Sequence, residues 1–337
     1  MRVCVLYYDD EDNFSPAEFL AHYPCEWEMV VLERPVRPKI TALASENRFD
    51  VFFNLCDASV YEDYPGIDVV QVMEELNLPF TGSESAFYDP TREQMQAAAE
   101  ANGIGFARGF RVNEEAELDS VVGDLEYPLM VKHPQSYGSM GMTRESRVEN
   151  RQQLLKQFKR ISSEYGSARV EEFIIGREYN VFIVDNPDDL SSPFAYPPTE
   201  LKFPPEEDFW HTDVKWDYSV PFDFLEVKDR PLATRLQDAG RGLYLALQGT
   251  GYGRCDVRVK DDGSLYMLEI NANPGIMYRP EEYGPADYMI LYDPDGYRGF
   301  FDRIFRSAQE RQRLRAKRAP HRAKAPRART RRHTPRG

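Results

Sequence analysis

Two carboxylates, an arginine and an asparagine stand where a hairpin would gather them. The runs Gly253-Arg254-Cys255-Asp256-Val257-Arg258-Val259 and Leu265-Tyr266-Met267-Leu268-Glu269-Ile270-Asn271 flank Asp262-Gly263, a dipeptide that favours a two-residue hairpin loop. That turn places Asp256 across from Glu269 and Arg254 across from Asn271. The period-two alternation of a strand puts all four on one face. The other face, Cys255, Val257 and Val259 against Ile270, Leu268 and Tyr266, is apolar and is expected in the core. Two carboxylates directly opposite each other repel and weaken a sheet. A bound divalent cation reverses that argument, and oxygen donors without Cys or His favour magnesium or manganese over zinc. A solvated polar face, with Arg258 and Lys260 diluting the repulsion, is the other reading of the same residues. Asn273-Pro274-Gly275 follows at once as a turn whose backbone amides would face whatever the carboxylates hold.

The elements that must position this hairpin can be read from the chain around it. Val3–Tyr8, Trp27–Leu32 and Asp50–Leu55 read as short strands and Ile67–Leu76 as a helix, an alternation that predicts a parallel sheet with crossover helices. Asp89-Pro90 supplies an N-cap and a first-turn proline for a helix running to Gly103. A second α/β unit has strands at Leu129–Lys132, Arg169–Phe173 and Tyr179–Val184 and a helix at Asn150–Tyr165. Residues 186–222 hold seven prolines, Trp210 and Trp216 and read as a long loop, a kind of segment that is usually functional or disordered. A helix at Arg230–Leu247 leads into the hairpin. The fold class expected is α/β, with four parts: an N-terminal parallel-sheet domain over 1–88, a central domain over 89–185, a catalytic domain over 186–302 and a basic, disordered tail over 303–337.

The chain has 337 residues, 42% of them hydrophobic and 29% charged, which suits two or three globular units and excludes global disorder. No apolar run approaches the roughly 20 residues a membrane span needs. The N-terminus lacks the pattern of a signal peptide, so a cytoplasmic protein is expected. Cys4, Cys25, Cys56 and Cys255 are scattered, which predicts reduced thiols rather than a disulfide framework. The net charge of −14 conceals an asymmetry, because residues 311–337 carry 12 Lys and Arg and no Asp or Glu. Such a segment buries too little apolar surface to fold alone. It could contact a polyanion such as nucleic acid or anionic lipid, lie against its own acidic body, or have no dedicated partner.

Glu269-Ile270-Asn271-Ala272-Asn273-Pro274-Gly275 resembles the Glu-x-Asn-x-x-Pro-Gly signature of the ATP-grasp superfamily. Residues from about 80 to 276 resemble, more narrowly, the D-alanine–D-alanine ligase family. The resemblance implies a three-subdomain ATP-grasp fold, α+β in its ATP-binding part. It also implies a reaction in which ATP phosphorylates a carboxylate, an amine attacks the acyl phosphate, and phosphate leaves. Carried over motif by motif, it places Lys132 on the ATP phosphates and Gln135–Met142, with Ser139, in the phosphate-covering loop. The backbone of Glu172 and Ile174 falls on adenine with Glu171 beside it, and Glu178 falls on the ribose hydroxyls. Asp256, Glu269 and Asn271 would hold two magnesium ions, and Arg254 the tetrahedral intermediate. Lys215, in Asp213-Val214-Lys215-Trp216, matches a mobile-loop lysine that reaches the transferred phosphate, and a closing loop would shield an acyl phosphate from water.

The sequence also departs from the family. Arg92 stands in place of a lysine on the α-phosphate, and Ser136-Tyr137 in place of an acidic-glycine pair. The glycine-rich turn and the His-Gly-x-x-Gly-Glu-Asp-Gly segment that grip the first D-alanine are missing. Tyr7-Tyr8-Asp9-Asp10-Glu11-Asp12 and Cys56–Gly66 stand there instead. The expectation is therefore an ATP- and magnesium- (or manganese-) dependent ligase acting on an amino acid or peptide-like acid and a small amine. Two alternatives are an authentic D-alanine–D-alanine ligase and a non-catalytic nucleotide-binding module tethered by its basic tail.

Overall fold

A computed structural model describes residues 1–8, 16–58, 62–135, 139–212 and 222–318. Its first unit alternates as the sequence predicts: β1 (Arg2–Tyr7), α1 (Pro16–Leu20), β2 (Glu26–Val31), α2 (Arg37–Ser45), β3 (Val51–Asn54) and α3 (Ile67–Glu75). The strands form a parallel sheet in the order β2-β1-β3. Cys4, Leu6 and Phe52 pack with Ile40, Val69 and Met73 of α2 and α3. Val3, Val5 and Phe53, on the other face, pack on residues from the C-terminal end of the chain. Strands buried on both sides in this way read as continuous apolar runs.

Next comes α4 (Arg92–Ala101), which starts two residues later than Asp89-Pro90 suggested. Thr91, not Asp89, caps it, in a reciprocal box with Gln94 that satisfies two backbone donors. The chain continues as β4 (Gly109–Val112), α5 (Leu118–Val122), β5 (Leu129–Lys132), β6 (Arg147–Val148), α6 (Arg151–Tyr165) and β7 (Ala168–Glu172). These strands form an antiparallel sheet in the order β4-β7-β5-β6. Leu129, Val131, Ala168 and Val170 pack on Leu154, Phe158 and Ile161 of α6. Alternation turns Met130, Lys132, Arg169 and Glu171 to the opposite face.

The third sheet is built from β8 (Arg177–Val184), β9 (Phe194–Ala195), β10 (Thr199–Lys202), β11 (Asp223–Glu226), β12 (Tyr252–Val259) and β13 (Leu265–Asn271), with α7 (Arg230–Ala246) before the hairpin. Its order is β11-β10-β8-β12-β13, with β9 also on β8. The sheets therefore divide between Glu172 and Arg177, earlier than the expected boundary at 185, because β8 pairs along its whole length with β12. Nor is 186–222 a plain loop. Prolines flank β10 without entering it, and Thr199–Leu201 pairs with Glu178–Asn180.

The hairpin register is partly as predicted. Arg254↔Asn271, Cys255↔Ile270 and Asp256↔Glu269 pair as expected, but a bulge at the next step sets Val257 against Met267 and Arg258 against Tyr266. The turn is longer by one residue than Asp262-Gly263 alone implies. Lys260 accepts from Gly263 N–H at 2.9 Å and donates to the Ser264 carbonyl at 2.9 Å, with Gly263 at φ +84°, the left-handed conformation a three-residue loop demands. The bulge absorbs that extra residue, so the pairing of the polar residues survives while Met267, not Leu268, fills the core.

The end of the chain corrects the expected tail. After α8 (Pro285–Tyr292), α9 spans Gly296–Arg318, so residues 303–318 belong to the fold. Phe300, Phe301, Ile304, Phe305 and Ala308 are buried against the N-terminal sheet. Arg311, 4% exposed, donates to the carbonyls of Phe80 at 2.8 Å and Gly82 at 2.9 Å and lies 3.5 Å from the Asp185 carboxylate. This first basic stretch lies against the acidic body. Residues 319–337 are outside the described residues. No helix among the described residues is long and apolar enough to cross a membrane.

Candidate active site

The polar faces of the two antiparallel sheets meet across a cleft of about 680 Å³. Arg92, Lys132, Ser139, Glu171, Glu172, Ile174, Glu178, Arg254, Asp256, Glu269 and Asn271 all line it, so each candidate among the described residues is brought to one place. Lys215, with Trp216, lies outside the described residues, as do Ser136, Tyr137 and Gly138.

On the four-stranded sheet Lys132 pairs with Glu171, which also accepts from Arg169 Nε at 2.6 Å. Arg169, fully buried, reaches Glu93 at 3.1 Å and Gln96 at 2.9 Å. Burial, reinforced by the Arg92 charge, pulls the Lys132 ammonium down to about 8. Burial also opposes ionisation of Glu171, yet the charges of Lys132, Arg169 and Arg92 outweigh it and hold that carboxyl below its ordinary value. The two shifts agree once the neighbours are counted: Lys132, Arg169 and Arg92 all act on Glu171, while Glu93 and Glu269 pair with the two arginines. Cations gathered in a partly dry pocket suit a polyanion that takes the place of those acids. The loop facing it bends sharply at Ser139 (φ +61°) and Gly141 (φ +69°). It is tied down by Thr212, whose hydroxyl donates to the carbonyls of Ser139 and Met142 at 3.2 and 2.9 Å.

The six-stranded sheet presents a grid. One row across β8 and β12 holds Glu178 and Arg258. The next is Asn180–Asp256–Glu269, and the third places Arg254 beside Asn271. Arg254 grips Asp256 with two bonds, Nε to Oδ1 at 2.8 Å and Nη2 to Oδ2 at 3.0 Å, and Asn180 Nδ2 donates to Oδ1 at 2.7 Å. Arg92 pairs with Glu269 and reaches the Leu268 carbonyl at 3.4 Å. Burial alone would weaken the Arg254 cation, but Asp256 and Glu269 raise its pKa. Arg258 holds Glu178 Oε2 through Nε at 3.0 Å and Nη2 at 2.8 Å and donates to the Ile174 carbonyl at 2.9 Å. Burial nevertheless keeps the Glu178 carboxyl above its ordinary value, because Asp256 and Glu269 add to it.

The opposed carboxylates of the sequence reading are thus real, and arginines neutralise them in this arrangement. Among the described residues no three His, Cys, Asp or Glu side chains gather as a metal-holding group. Asp256, Glu269 and Asn271 instead offer two carboxylates and an amide, an all-oxygen set that fits a hard divalent cation such as magnesium.

Two cleft-side residues escaped the sequence reading, Arg169 and Asn180, and Arg258 entered it only as a charge diluting the carboxylate repulsion, not as the partner of Glu178. Each lies two positions from a residue singled out there, on the same strand face, so the period-two rule was signal enough. The other end of the cleft is different in kind. Tyr8, Asp57, Glu62, Tyr278, Glu281 and Glu282 line it, from loops and turns rather than from the grid. Tyr8 donates to Asp57 at 3.0 Å and stacks on Tyr64 with ring centroids 4.8 Å apart.

Comparison with known proteins agrees with this geometry. The D-alanine–D-alanine ligase of Acinetobacter baumannii strain AYE is 24% identical over 208 residues, covering 61% of this chain and 64% of that protein. Its counterpart from Marinomonas sp. is 28% identical over 217 residues, covering 62% and 63%. The chain thus aligns with somewhat less than two thirds of these relatives' length. Among solved structures, D-alanine–D-alanine ligase from Bacillus anthracis superposes with a TM-score of 0.67 at 19% identity, over 94% of this chain and 99% of that one. VanG D-Ala:D-Ser ligase from Enterococcus faecalis does so with 0.69 at 15%, over 91% and 99%. They share the fold. The family model "D-ala D-ala ligase C-terminus" matches residues 101–279. That is more than half of the chain and the whole of the two facing sheets, and the protein belongs to that family.

Proposed function

We propose that the protein is an ATP-dependent carboxylate–amine ligase. A carboxylate oxygen attacks the γ-phosphorus of ATP, the bond to ADP breaks, and an acyl phosphate forms. The amine nitrogen then attacks the carbonyl carbon, loses a proton, and the C–O bond to phosphate breaks to leave an amide. The observation that carries this reading is the direct pairing of Asp256 with Glu269, beside Arg254 and Asn271, within one cleft with Lys132.

The roles are those the family resemblance implies, and the shared cleft supports them. Lys132 and Arg92 supply positive charge for the phosphates, and Ser139 lies in the loop that covers them. The backbone at Glu172 and Ile174, with Glu171 beside it, borders the adenine. Arg258 occupies only Oε2 of Glu178, which leaves Oε1 for a ribose hydroxyl. Arg254 would stabilise the tetrahedral oxyanion, charge that develops only during reaction. Lys215 is assigned to the transferred phosphate on its motif alone. Asp256, Glu269 and Asn271 would hold magnesium or manganese, which spreads the charge of phosphoryl transfer when bound. Arg92 and Arg254 cover the carboxylates otherwise, so loading the site exchanges one set of cations for another.

The acid is an amino acid or peptide-like acid. The acidic loop-borne end of the cleft favours a protonated amine, which sheds its proton before attack. The names of the curated relatives favour the narrower reading, a D-alanine–D-alanine ligase. We place the activity in the cytoplasm, and leave residues 319–337 as a tether able to meet a polyanion. The test is ADP release from purified protein across panels of amino acids, dipeptides and amines, D-alanine included. Turnover with one pair and none with D-alanine supports the broader reading, and turnover with D-alanine alone the narrower. No turnover together with no magnesium-dependent ATP binding overturns both.

A further inference from the structure

The roles assigned so far leave Asn180 out, although it sits in the middle of the grid. It stands on β8 directly across from Asp256, in the row that continues to Glu269, and it lines the cleft while only 2% exposed. A carboxylate only accepts, so the 2.7 Å contact with Asp256 Oδ1 must be made by the amide nitrogen. The amide is thereby fixed, and its oxygen faces elsewhere. That oxygen, Oδ1, is buried and has no hydrogen-bond partner among the described residues. Buried acceptors are almost always satisfied, because an unpaired one loses its hydration and gains nothing in return. An orphan acceptor beside a carboxylate pair points to a ligand that brings positive charge or a donor hydrogen.

We propose that Asn180 belongs to the cation site. Its Nδ2 orients Asp256, and its Oδ1 receives the divalent cation or a water from the cation's hydration shell. Magnesium keeps several of its waters when bound, and partners of first-layer ligands tune affinity nearly as strongly as the ligands themselves. The inference rests on the ligase reading only in taking a nucleotide-bound divalent cation as the ligand.

The test measures Mn²⁺ binding to the full chain by the electron paramagnetic resonance of free Mn²⁺, with a non-hydrolysable ATP analogue present. Asn180→Ala should weaken Mn²⁺ about 10-fold, while affinity for the analogue without metal stays within about twofold. Asn180→Asp gives up the Nδ2 bond to Asp256 but keeps an oxygen toward the cation and adds charge, and should bind Mn²⁺ within about twofold of the unaltered protein. Unchanged Mn²⁺ affinity in Asn180→Ala would overturn the proposal, as would an equal loss of metal-free nucleotide binding. If Asn180→Ala does not fold, a 10-fold weaker Asn180→Asp overturns it instead. An unaltered protein that binds ATP analogue but no Mn²⁺ sinks the ligase reading along with this one.

Discussion

The two ends of the cleft are made differently. At the nucleotide end every charged group sits on a strand or a helix start, and each of four cations is paired: Arg92 with Glu269, Lys132 with Glu171, Arg254 with Asp256, Arg258 with Glu178. At the other end Tyr8, Asp57, Glu62 and Tyr278 come from connecting segments, and acids and tyrosines line it. Sheet registers fix distances to fractions of an ångström and tolerate little change, whereas loops on a rigid scaffold can be rewritten. It follows that, on the proposed function, the chemistry and the choice of substrate would be carried by structurally separate parts, one held by sheet register and the other by connecting segments.

That contrast can be tested by unequal responses. The largest is expected from Asp256→Asn combined with Glu269→Gln. ADP release should fall about 10⁴-fold, equivalent to about 5 kcal/mol, while the fold by circular dichroism persists. Retained turnover would show that the grid is not the seat of reaction. Arg258→Ala comes next. It strands the Glu178 carboxylate in the interior, and breaking a buried pair costs about 3–5 kcal/mol, read as a lower urea midpoint. Replacing both partners, Arg258→Met with Glu178→Gln, should recover most of that loss.

A pH series probes Lys132. Its pKa lies near 8 in the folded protein, below its ordinary value of 10.5. Between those values the unfolded chain binds the extra proton, so this residue makes stability rise with pH in that window. ATP affinity should move the other way. As pH climbs past 8 the ammonium loses its charge, and KM for ATP should increase several-fold, up to about 10-fold for the loss of one charge-assisted contact. Lys132→Arg should flatten that rise, since a guanidinium stays charged.

Smaller effects are expected at the loop end. Asp57→Asn with Glu62→Gln should raise KM for the amine about fivefold at low salt and less at high salt, because exposed charges are screened, and leave KM for ATP unchanged. An equal change in both constants would erase the distinction between the ends. Smallest of all, a chain ending at Arg318 should keep turnover within about twofold, since Arg311 and Arg315 dock on Phe80, Gly82 and Leu78 and are retained.

Much of this was readable beforehand, for local reasons. The β1–β3 alternation, the Asn150-capped α6 and the run before Lys132 each follow from patterns within a dozen residues. The charged tail misled because composition weighs Arg311 and Arg315 as solvated charges. In the fold their aliphatic stems and guanidinium donors cover carbonyls more than 200 residues away in the chain. The hairpin shows both outcomes at once. Asp262-Gly263 located the turn but not its length, and the acids still met because a bulge absorbed the difference.

Sequence by itself determined which residues could carry the chemistry: the acids, amides and arginine of one hairpin face, the lysine ending β5, and the Glu178 strand. Side-chain alternation along a strand is a property of the backbone and needs no knowledge of the rest. Tertiary structure decided what those residues touch. That Arg169 backs Glu171, that Arg92 crosses to Glu269, and that Asn180 completes the row with an unanswered oxygen all depend on how separate strands are laid side by side. Such pairings follow from the packing of whole sheets and helices, so no local stretch of the chain contains them.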